Sequence, residues 1–171
     1  FRFASYCGIS GVTKKEETLA DGAATVAALS TAVTAMDDEE VTATGRYLFI
    51  TPTLLQGIND MDTTKSKKVL EGFEQVIKVP QRRFYTAIKQ LSGKTGEEAG
   101  GYTKATGAAN INFAIVQKDA LIQYTKHAAP KIIAPENNPD ADAYVFGYRM
   151  VGIAKAYKNM LSGMYFSHDK A

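Results

Sequence analysis

The side chains best suited to chemistry are few and scattered. His127 and His168 are the two histidines, Cys7 is the single cysteine, and Asp140 and Asp142 are paired carboxylates in a turn-like stretch. A histidine can move a proton near neutral pH, a thiolate can attack an electrophile, and two carboxylates can divide acid and base work. Each of those roles needs neighbours that the sequence lacks. Neither histidine belongs to an HExxH pattern, and no serine sits in a GxSxG elbow. His127, beside Lys126, reads as surface or interface. Cys7 has no nucleophile signature around it and reads as a buried small apolar side chain. Alternation in Ala-Asp-Ala points Asp140 and Asp142 to the same side, where they repel unless solvated or paired, so a capped turn is preferred over an acid/base dyad.

Two templates for binding come close and fail. Gly93-Lys94-Thr95 resembles the end of a phosphate-binding loop, but the glycine required five residues earlier is Ile88. Asp60, Asp62 and Glu71 fall at the first, third and twelfth positions of a calcium loop, yet position five is Thr64 and the turn glycine is replaced by Lys65. Three lysines crowd that segment, which therefore reads as solvated surface. No catalytic, cofactor-binding or metal-binding residue is assigned.

Bulk properties narrow the classes further. The chain has 171 residues, 45% of them hydrophobic and 22% charged, which fits one globular domain with room for a small annex. Its net charge of +2 is too small a surplus to carry bulk binding of nucleic acid. The longest uncharged stretch, residues 22–36, is short and polar against the roughly 20 apolar residues of a membrane-spanning helix. One cysteine cannot form an internal disulfide, which suits a reducing compartment. The chain opens at Phe1 without an initiator Met or a basic-then-apolar leader, and so reads as a piece of a longer protein.

The elements that would position any site emerge from periodicity. Val26, Leu29, Val33 and Met36 recur at helical spacing, predicting an amphipathic helix over 21–40 that Asp21 caps and that frays near Met36, where acidic residues meet the negative end of the helix dipole. Residues 46–51 read as a strand running directly into a helix at Thr51-Pro52, followed by a helix to 61 and a strand over 74–79 closed by Pro80. Residues 91–109 hold five of the 14 glycines and read as the most mobile internal loop. A strand over 110–116, a short helix over 118–124 and extended residues 130–134 come next. A turn over 136–140, a long strand over 144–157 and a returning hairpin strand over 163–168 complete the α+β pattern.

Several stretches in this order carry a resemblance. Arg46-Tyr-Leu-Phe-Ile-Thr-Pro-Thr-Leu-Leu55, Val79-Pro80 with Arg83-Phe84, Ile111-Asn-Phe-Ala-Ile-Val-Gln-Lys-Asp-Ala-Leu-Ile-Gln123, Asp140-Ala-Asp-Ala-Tyr-Val-Phe-Gly-Tyr-Arg149 and Gly163-Met-Tyr-Phe166 are similar to major capsid proteins of tailed bacteriophages and prophages. The resemblance implies the Hong Kong 97 phage-type fold. Residues 1–17 would be the end of the spine helix and a linker, residues 18–131 mainly the axial domain, and residues 132–171 closing strands and a hairpin toward the peripheral-domain sheet. The arm, extended loop and most of the spine helix would lie upstream of Phe1.

The same resemblance implies a structural, non-enzymatic subunit without cofactors. It would self-assemble into pentamers and hexamers of identical copies, with a scaffolding protein as a further partner, packaged DNA contacted only non-specifically, and no membrane. Its location would be the virion shell, and the bacterial host cytoplasm during assembly. Two rivals stand beside it. One is a small α/β ligand-binding or enzyme domain with a site near the 51–52 strand-to-helix turn. The other is a nucleic-acid module using Arg82 and Arg83, which requires a contiguous basic face.

Overall fold

A computed structural model describes residues 2–137 and 142–170. In chain order the elements are α1 (Arg2–Cys7), β1 (Thr13–Glu16), α2 (Gly22–Asp38), β2 (Arg46–Ile50), α3 (Pro52–Asp60), α4 (Thr64–Glu71), β3 (Gln75–Lys78), β4 (Ile88–Gln90), β5 (Tyr102–Lys104), β6 (Ile111–Gln117), β7 (Leu121–Ile133), β8 (Val145–Ala156) and β9 (Met164–His168). They divide into two compact units, one comprising Phe1–Ala120 with Lys158–Ala171 and the other Leu121–Tyr157.

The first unit is built on a mixed sheet of order β1-β9-β6-β2-β3. β6 lies at its centre, antiparallel to both β2 and β9, and all seven of its residues are buried. A strand covered on both faces needs no polar alternation. Leu48, Ile50, Phe113, Ile115 and Tyr165 form one core with Val26, Leu29, Ala32 and Met36 of α2 and Leu55 and Ile58 of α3. Phe49, facing the other way, meets Phe3 of α1 edge to face at 5.0 Å, and Phe3 meets the buried Phe84 at 4.8 Å. β2 and β3 run parallel, and α3 and α4 make the crossover that parallel pairing requires.

α2 begins as its sequence dictates, with the Asp21 carboxylate accepting the Ala24 N–H at 2.7 Å. Asp21→Ala should cost about 1 kcal/mol, the usual value of such a cap, read as a shift of the urea midpoint at constant slope. The helix runs past Met36 to Asp38 because Arg46 organises its end. That buried guanidinium donates to Asp37 at 2.6 Å, to the Thr42 carbonyl at 3.1 Å and to the Val41 carbonyl, so the acidic terminus has a cation beside it.

Four expectations change. Residues 64–71, read as solvated loop, form α4, started by a capping box in which Thr63 and Ser66 exchange side-chain and backbone hydrogen bonds. The glycine-rich stretch contains β5, paired antiparallel with β4, and is not loop throughout. The helix expected over 118–124 is a single 3-10 turn at Lys118–Ala120, after which the chain extends at once into β7. β9 does not return on β8: it joins β6 and β1 in the large sheet, while β8 pairs with β7. Local patterning identified β6, β8 and β9 but neither β1 nor the full length of β7, and pairing is decided by which apolar faces meet.

The loop between β4 and β5 is clasped. Glu97 accepts from Lys89 at 2.6 Å and from the Ser92 N–H at 2.8 Å. These bonds hold its carboxyl at about 2, so the clasp is fully ionised at neutral pH and loosens only as pH falls toward that value.

Candidate functional site

The residues singled out for chemistry stay apart. Asp60 accepts from Gln56 at 2.6 Å and Asp62 pairs with Lys67 at 2.6 Å, while Glu71 ends α4; these bonds leave no shared cation cage. Among the described residues no group of three His, Cys, Asp or Glu side chains is placed to hold a metal. Gly93 and Gly96, with φ of +72° and +87°, shape exposed loop backbone around Lys94 and Thr95. Cys7 is buried as expected, and burial pushes its thiol up while Lys14 acts in the opposite direction. His127 is exposed on β7, and His168 at the end of β9 bonds through Nδ1 to the Asp169 carbonyl oxygen at 2.8 Å. Asp140 lies outside the described residues, and Asp142 is exposed. Thr51, at the strand-to-helix turn, is 4% exposed with its N–H given to the Asn112 carbonyl.

Among the cavities that indent the first unit, three have well-defined linings. A groove of about 600 Å³ between α2 and α4 has Val33 and Val69 as its apolar floor and Lys65 and Lys68 on its rim. A cleft of about 380 Å³ gathers Arg82, Arg83 and Lys104 with Tyr85, Tyr102 and Thr103. A third, of about 370 Å³, lies between α1 and β4 and is lined by Ala4, Ser5 and Ile88. Thr51 and Pro52 line none of these three.

The second unit carries the conspicuous surface. β7 and β8 form a two-stranded antiparallel ribbon, with a bulge between Thr125 and His127. Every exposed large hydrophobic side chain among the described residues lies between 122 and 157, and Phe146 is 75% exposed. Register puts Ile132 opposite Phe146, Pro130 opposite Tyr148 and Ala128 opposite Met150, so one face near the tip is wholly uncharged. The opposite face carries Lys131, Arg149 and His127 among Val145, Val151 and Ile133. Patches of this kind mark interaction sites in soluble proteins. Composition alone did not single them out, because a strand exposed on both faces has the same residues as a buried one.

The fold has counterparts of known structure. A structure from Mycobacterium phage Che8 superposes with a TM-score of 0.56 at 8% identity, covering 96% of this chain and 55% of the other. The capsid structure of the Cyanophage P-SCSP1u does so with a TM-score of 0.56 at 15% identity, covering 99% of this chain and 60% of the other. The fold resembles that of a phage capsid structure. This chain therefore spans between half and two thirds of the length of each counterpart. No protein-family model matches the chain, and no curated protein matches it by sequence. No helix among the described residues is long and apolar enough to cross a membrane.

Proposed function

We propose that the chain is part of a shell-building subunit of a phage or prophage capsid, with the Hong Kong 97 phage-type architecture, whose copies assemble into pentamers and hexamers around packaged DNA. The observation that carries this reading is the superposition of nearly the whole chain on a phage capsid chain. The apolar ribbon supports it, because two strands alone are marginally stable in water and gain by being covered. In this reading Phe1–Ala120 with Lys158–Ala171 is the axial domain, and the ribbon Leu121–Tyr157 belongs to the peripheral sheet. The proposed boundaries are thus redrawn where the compact units divide: 121–131 leave the axial domain, while 1–17 and 158–171 join it. The subunit acts by packing and has no catalytic turnover.

Electron microscopy of the full-length parent, expressed with any scaffolding protein it needs, tests the proposal. Rings or closed shells are expected. Phe146→Ser combined with Tyr148→Ser should abolish them while leaving the circular dichroism of the subunit unchanged. Persistent monomers of the unaltered parent would reject the structural role.

A further inference from the structure

We propose that the cleft between the 81–83 turn and β5 is an oxyanion site that takes phosphate groups of a nucleic-acid backbone. Arg82, Arg83 and Lys104 line one cavity, and no carboxylate lines it with them. The four ion pairs among the described residues involve none of the three. Lys104 bonds to the Asn110 amide oxygen at 3.1 Å and sits 5.7 Å over the Tyr85 ring, so its partners are a neutral amide and an aromatic face. Three cations thus share one concavity without a counter-charge. That arrangement costs free energy through mutual repulsion and is relieved by a bound anion.

The walls are fixed before any ligand arrives. Pro80 precedes the turn, and the Gln81 side chain donates to the Phe84 carbonyl at 2.9 Å, while Phe84 itself is fully buried. Thr86 and Ala109 exchange hydrogen bonds at 2.9 and 3.0 Å, and β5 is held against β4. The Tyr102 hydroxyl donates to the Arg82 carbonyl at 3.5 Å, spanning the cleft. Two guanidinium forks on a rigid turn match the paired oxygens of a phosphate, and Thr103 adds a hydroxyl donor. The half-buried Tyr85 and Tyr102 favour nucleic acid over an acidic peptide, because aromatic rings beside arginines can stack a base while the cations hold its phosphate. The local convergence supplies what the overall charge of +2 does not.

Fluorescence anisotropy of a labelled thymidine strand of about 12 nucleotides, titrated at low salt with the 171-residue chain, decides the matter. Arg82→Gln with Arg83→Gln should weaken binding about tenfold or more and lower the salt slope by about 1.4, the share of two phosphate contacts. Lys65→Gln with Lys68→Gln, a charge-matched pair on α4, should change affinity less than about twofold. Circular dichroism confirms that each variant remains folded. Equal losses in the two pairs overturn the site, as does the absence of saturable binding. Pyrophosphate binding seen by titration calorimetry without oligonucleotide binding would assign the cleft to free phosphates, and stronger competition by an oligoglutamate would assign it to carboxylates; either result rejects the nucleic-acid site.

Discussion

Phe113→Ala should lower the stability of the first unit by about 3–5 kcal/mol, a large share of what holds a domain of this size together. Phe113 is fully buried at the centre of β6 and stacks on Tyr165 with ring centroids 6.2 Å apart. Alanine removes its apolar surface and leaves a void that the flanking strands, tied by ladder bonds, cannot close. Phe146→Ala is the matched control. Its ring is mostly solvated in the isolated chain, so the same truncation should change the unfolding free energy by less than about 0.5 kcal/mol. Equal shifts for the two phenylalanines, measured by circular dichroism, would contradict the division of roles between sheet and ribbon.

Gly22→Ala should cost about 3 kcal/mol or more, while Gly57→Ala should be neutral or stabilising by up to about 1 kcal/mol. α2 and α3 touch at these two glycines, but the contact is one-sided. A Cβ on Gly22 would lie 2.2 Å from the Gly57 carbonyl oxygen and 2.6 Å from its carbon, and a backbone cannot yield as a side chain does. A Cβ on Gly57 would meet the Gly22 Cα and nitrogen at 3.5 Å, an ordinary contact, and would restrict the unfolded chain. Thermal unfolding of the two single variants checks the ordering, and a reversed order would overturn this account of the helix pair.

Much of the first unit was legible because local and tertiary signals agree there. The α2 stripe, the Asp21 cap and the Thr51-Pro52 junction all lie where spacing and capping chemistry place them. α4 was hidden because Thr63 and Ser66 cap it without the acidic residue that usually marks a capping box, and its lysines resemble loop composition. β7 was hidden because Lys118–Ala120 makes one helical turn before the chain extends. Partners were harder still. Nothing local to Met164–His168 distinguishes pairing with β6 from pairing with β8, since both are strands rich in apolar and aromatic residues. For the basic cleft, Arg82 and Arg83 were visible as a pair, but Lys104 joins them only because β5 folds back on β4.

The edge pair β1 and β9 gives the sheet a mechanical character. The two strands run parallel, with Thr13 beside Tyr165 and Glu16 beside His168. Tension drawn from the chain before β1 and the chain after β9 pulls them lengthwise in opposite directions. Their cross-bonds then bear load together in shear, instead of tearing one after another as in a peeled hairpin. The Glu17 N–H to the His168 carbonyl at 2.9 Å and Ser167 to the Glu17 carboxylate at 2.6 Å add rungs at the same margin. A strained assembly could thus pass force through this edge while leaving the buried centre of the sheet unloaded.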